Sequence, residues 1–106
     1  MRAFVEPHHH GDGYAVVLTQ PGSGLLLGLD HHPDADRACF EARRTGLDHL
    51  AFGVPSRAEL EAWTARLDTL RVAHDPVTET TEPAPLALVT FRDPDEIALE
   101  LIWYGG

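Results

Sequence analysis

The chain has 106 residues, room for one modest hydrophobic core, and its 43% apolar content belongs to a folded protein rather than a disordered one. A formal charge of −9, with only 8 basic side chains, repels phosphate backbones and anionic lipid, so neither nucleic acid nor a membrane is an expected partner; no stretch is apolar for long enough to span a bilayer. The single cysteine, Cys39, excludes an internal disulfide framework, and with no secretory leader over residues 1–7 the expected compartment is the cytoplasm.

Taken in chain order, residues 2–6 form a short, weakly apolar strand. His8-His9-His10 followed by Gly11-Asp12-Gly13 reads as a hairpin loop. Residues 14–19 (YAVVLT) and 25–29 (LLLGL) are two strands joined across Pro21-Gly22-Ser23-Gly24. Residues 32–45 are polar and charged and read as a connection. Residues 46–54 (GLDHLAFGV) alternate: Leu50, Phe52 and Val54 point one way, Leu47, His49 and Ala51 the other.

Pro55 stops that strand, and Ser56 with Glu59 forms a capping box that opens a helix over residues 57–70. Leu60, Trp63, Leu67 and Leu70 give the helix an apolar stripe, expected to lie on a sheet. Residues 72–78 are expected as a strand, 80–85 as a loop and 86–92 as a strand. Asp93-Pro94-Asp95-Glu96 is a turn. Residues 97–104 close the chain as a strand with Leu99, Leu101 and Trp103 on one face and Ala98, Glu100, Ile102 and Tyr104 on the other.

The two hairpins overlay. Setting Gly24 on Glu96, 72 positions apart (96 − 24), carries residues 14–19 onto 86–91 and 25–29 onto 97–101. The counterpart of the strand bearing His49 then falls before Met1. The expected organisation is α+β: a complete βαβββ module at residues 46–104 behind a truncated βββ half-module at 1–31, in a curved mixed sheet around a cavity.

Three segments, GLDHLAFGV, SRAELEAWTARLDTL and FRDPDEIALELIW, resemble one module of the vicinal-oxygen-chelate superfamily, which includes glyoxalase I, bleomycin-resistance proteins and extradiol dioxygenases. The resemblance implies a cavity enclosed by paired modules and a divalent metal held by a first-strand histidine and a last-strand glutamate. Here those are His49 and Glu100. Periodicity independently puts both on the face away from the helix. An imidazole and a carboxylate suit Zn, Fe, Mn or Ni.

The chain departs from the family pattern in several places. The position matched to Glu100 is Gly28, so one chain offers two ligands where catalytic metal sites usually have three. His31 and His32 are candidate substitutes, and a homodimer could unite two His49–Glu100 pairs. Arg71 and Glu96 stand at turn positions where the family often has glycine.

Three functions follow. In one, a metal-free cavity lined by Tyr14, Phe91 and Tyr104 binds a small-molecule ligand. In the second, a metal-dependent glyoxalase- or dioxygenase-type enzyme uses Glu100 as ligand and base, the metal polarising two neighbouring substrate oxygens. In the third, the chain is an inactive truncated paralogue. A homodimer is expected in each, because a shortened module leaves sheet edges open.

Overall fold

The structure, a computed structural model, describes residues 2–7 and 11–105. The hairpin loop expected at His8-His9-His10 lies outside the described residues. The chain divides into two compact units, one ending at Ala38 and the other beginning at Cys39. The described residues form seven strands in two sheets and one helix, a mixed α+β architecture.

The first unit is an antiparallel sheet of β1 (Arg2–Pro7), β2 (Tyr14–Thr19) and β3 (Leu26–His31), with β2 in the centre. Flanked on both sides, β2 buries Ala15 and Val17. Gly13 leads into β2 at φ +135°, and a side chain there would run into the carbonyl of His31. That close approach, together with the positive φ, requires glycine.

In the second unit, β4 (His49–Gly53), α1 (Arg57–Thr69), β5 (Thr78–Thr80), β6 (Leu86–Arg92) and β7 (Ala98–Tyr104) make a four-stranded sheet in the order β4-β7-β6-β5. β4 runs parallel to β7, and the other pairings are antiparallel. Ser56 caps α1, its hydroxyl accepting from Glu59 N at 3.1 Å. Leu60, Leu67, Ala87, Val89 and Leu101 form the core beneath the helix, and Phe52, Val54, Val72, Phe91 and Trp103 pack around it.

Two expectations are corrected here. Trp63 and Leu70 do not face the sheet; they are 45% and 55% exposed. At about 100° per residue, Leu60, Thr64 and Leu67 cluster within about 60° of the helix circumference, and Trp63 and Leu70 trail off one flank of that arc. The strand expected at residues 72–78 is replaced by a single bridge, His74 to Phe91, and β5 begins only at Thr78. Pro76 has no N–H to give the ladder, so regular pairing resumes beyond it.

The helix ends in a Schellman turn. Val72 N bonds Leu67 O at 2.9 Å and Arg71 N bonds Asp68 O at 3.0 Å, with Arg71 at φ 57°. Glu96, in the β6–β7 turn, sits at φ 70°. Both positive angles fall where the family resemblance placed glycine.

The internal repeat has a structural counterpart. Ala15 and Val17 are buried like Ala87 and Val89, the residues 72 positions on (87 − 15). Six residues separate the paired ends Thr19 and Leu26, however, against five between Arg92 and Ala98. The cross-strand equivalent of Glu100, which pairs with Thr90, is therefore Leu27, which pairs with Leu18, and not Gly28. Neither residue is a metal ligand.

Candidate functional site

Strand register builds the site. In the parallel β4–β7 pair, His49 lies beside Ala98 and Ala51 beside Glu100, so His49 and Glu100 are diagonal neighbours on one face. In the antiparallel β6–β7 pair, Thr90 lies beside Glu100 on that same face. The reverse face carries Val89, Leu101 and the helix-side core. Alternation along β7 thus turns Glu100 away from α1 while its neighbour Leu101 packs under it.

The side chains converge. His49 Nε2 stands 3.6 Å from Glu100 Oε2. The other ring nitrogen, Nδ1, is 2.8 Å from Asp48 Oδ1. Thr90 Oγ1 donates to Glu100 Oε1 at 3.5 Å, a long bond. The side chain of Glu100 is only 19% exposed, whereas that of His49 is 45% exposed. The bond from Asp48 and then the negative charge of Glu100 raise the His49 pKa above its ordinary 6.5.

Asp48 is a candidate site residue that sequence reasoning passed over. It stands beside the histidine in the motif, but a strand with strict alternation would send it to the opposite face. β4 begins only at His49, which leaves Asp48 free of that alternation and able to reach the imidazole. A carboxylate on one histidine nitrogen fixes the tautomer that presents the other nitrogen to a metal.

Around the polar group the sheet face is apolar. Leu88 and Ile102 pair across the strands next to Thr90 and Glu100, and Ile102 is buried. Tyr104 is on this face by alternation and is 67% exposed. Phe91 is not. It pairs with Leu99 and packs against the core under the helix, so its expected place in a ligand cavity is corrected. Odd-numbered positions of β6 all turn toward α1, and Phe91 follows Ala87 and Val89 there. Tyr14 belongs to the first unit, where its ring lies 5.0 Å from that of His31, its partner across β2 and β3.

As a metal site this arrangement is half a set. Two ligands at about 2.1 Å from one divalent ion stand about 3.0–3.4 Å apart, close to the separation seen for His49 and Glu100. The described residues nevertheless hold no group of three His, Cys, Asp or Glu side chains able to share an ion. Among the described residues the donors fall short of the usual three.

The sequence profile of the Glyoxalase/Bleomycin resistance protein/Dioxygenase superfamily matches residues 2–101. The chain belongs to this superfamily. Among solved structures, this vicinal-oxygen-chelate chain resembles a glyoxylase/bleomycin resistance protein/dioxygenase domain from Frankia sp. EAN1pec, with 30% identity and a TM-score of 0.76 over 98% of this chain and 78% of that one. It also resembles the fosfomycin resistance protein FosX from Listeria monocytogenes (18% identity, TM-score 0.60, 98% and 74% covered). A third likeness is to lactoylglutathione lyase from Agrobacterium tumefaciens (20% identity, TM-score 0.54, 95% and 75% covered). The last two show a common fold only. A search of curated proteins found no match. Among the described residues no helix is long and apolar enough to cross a membrane.

Proposed function

We propose that this superfamily member binds a small molecule on the face of the β4-β7-β6 sheet that carries Glu100. The observation behind the reading is a carboxylate only 19% exposed, set among Leu88, Ile102 and Tyr104 and backed by His49 and Thr90. A surface of this kind suits a compact ligand whose apolar body rests on the leucine and isoleucine while a hydroxyl or amine donates to Glu100. His49, its Nδ1 held by Asp48, turns Nε2 toward Glu100, an acceptor when the ring is neutral and a donor when it is protonated. One similar structure is named a fosfomycin resistance protein and another a lactoylglutathione lyase, so small polar antibiotics and thiol adducts are the compounds to test first.

A thermal-shift screen of such compounds, aromatic antibiotics included, tests the reading. A ligand at 100 times its Kd stabilises the folded state by about 2.7 kcal/mol. The shift should shrink in Glu100→Gln and persist in Phe91→Leu. If no compound moves the melting temperature, or Glu100→Gln responds as the parent does, the reading fails.

The spacing of 3.6 Å between His49 Nε2 and Glu100 Oε2 supports a second reading, a divalent-metal site of the glyoxalase or dioxygenase type. In it His49 and Glu100 are ligands and Asp48 orients the imidazole. Bound metal would supply Lewis acidity toward two adjacent substrate oxygens, and Glu100 would be placed to move a proton. Completion of the ligand set would come from a homodimer. Calorimetric titration with Zn²⁺ or Ni²⁺, alongside light scattering for the dimer, separates this reading from the first.

A further inference from the structure

His74 lies outside this site, in the segment that leaves the Schellman turn of α1. Both of its ring nitrogens are engaged, and both partners are acceptors. Nε2 is 2.7 Å from Asp68 Oδ1 on the last turn of the helix, and Nδ1 is 2.7 Å from the carbonyl of Asp75. A neutral imidazole carries one N–H and can donate to only one of two acceptors. The His74 side chain is 17% exposed, so water reaches the ring only in part.

We propose that His74 is a doubly protonated clamp that fastens the end of α1 to the edge of the sheet and releases when it loses a proton.

The surrounding charges suit a cation. Asp68 faces it from α1 and Asp75 from its own segment. Arg92, on β6, leans toward Asp75 at 3.9 Å and opposes the cation. Asp93 and Glu96, from the β6–β7 turn, line the same hollow of about 320 Å³ beside His74. The bond to Asp75 and then the bond to Asp68 raise the His74 pKa above its ordinary 6.5.

Release has a defined reach. His74 bridges Phe91 on β6, and Asp75 N donates to Thr90 O at 2.8 Å. Between this bridge and β5 stands Pro76, which offers the ladder nothing. The segment from Arg71 to Val77 is therefore held by the Schellman bonds, by this bridge, by the packing of Val72 and Val77 on the core and by the imidazole. Because the neutral ring keeps only one of the two bonds, the contribution of the second is complete below about pH 6.5 and is lost as pH rises through the elevated folded-state pKa.

Amide hydrogen exchange read by NMR, on the full chain and corrected for intrinsic base catalysis, measures the opening directly. The amides of Val72 and Asp75 should lose protection about three- to tenfold as His74 deprotonates, the amount expected for the net loss of one ordinary hydrogen bond. His74→Gln should abolish that pH-linked loss. Asp68→Asn keeps an acceptor but removes its charge, and should move the transition to lower pH. Ring ¹⁵N shifts should show two protonated nitrogens at pH 6 in the parent. A single protonated nitrogen at that pH overturns the proposal. So does protection that stays constant with pH, or that falls equally in His74→Gln. Should His74→Gln fail to fold, the displaced transition in Asp68→Asn decides alone.

Discussion

Arg71 and Glu96 are side-chain-bearing residues held in left-handed backbone, at φ 57° and 70°, and each should become more stable as glycine. An L-residue in this region costs about 1–2 kcal/mol relative to its preferred conformations. Glycine removes that penalty but gives the unfolded chain about 0.4–1 kcal/mol more conformational freedom to lose. The net gain is about 0.5–1 kcal/mol per site. Both side chains are exposed, so little packing goes with them. The Schellman bonds at Arg71 and the bonds of Asp95 N and Ile97 N to Asp93 Oδ1 in the other turn do not involve the replaced side chains. The two local gains should add to within about 0.5 kcal/mol. Urea unfolding of Arg71→Gly, Glu96→Gly and the double variant should raise the midpoint at constant m. In thermal melts each kcal/mol should appear as about 4–8 °C for a protein near this size. Ala65→Gly, at an exposed position inside α1, is the control and should lose about 1 kcal/mol. If Arg71→Gly and Glu96→Gly lose stability as the control does, the backbone at those turns is not left-handed and the reasoning fails.

Leu60 is fully buried at the centre of the core, so Leu60→Ala should cost about 2–5 kcal/mol in denaturant unfolding. Phe91→Ala, under the helix, should cost about 2–4 kcal/mol, while Tyr104→Ala on the opposite face should stay near 1 kcal/mol or less; equal losses would contradict the two-faced sheet. Where Zn²⁺ or Ni²⁺ binds, Asp48→Asn should weaken it about 10–100-fold by calorimetry without removing a ligand, and an unchanged affinity would take Asp48 out of the site. Gly13→Ala should destabilise the first unit, which far-UV circular dichroism during unfolding would report, because its side chain would meet the His31 carbonyl.

Several features were legible in the order of residues alone, because they rest on local chemistry. Ser56 caps the helix from its own hydroxyl, period-two alternation assigns β7 its faces, and Asp93-Pro94 starts a turn. The same alternation sends His49 and Glu100 to one side, and the family motif supplied the identity of the pair. Three other features were decided only when the chain folded. Trp63 repeats at helical spacing as faithfully as Leu67, yet which arc of α1 meets the sheet depends on the residues of β6 and β7 it packs against, which no single helix encodes. Phe91 belonged to a strand with two possible faces until pairing with Leu99 committed it to the core. Asp48 reaches His49 because the β4 ladder starts one residue after it, and ladder ends are set by the partner strand. Periodicity and capping are short-range and survive in a linear reading. The side a residue takes, and where a ladder stops, are set by neighbours distant in sequence, and these exist only in the fold.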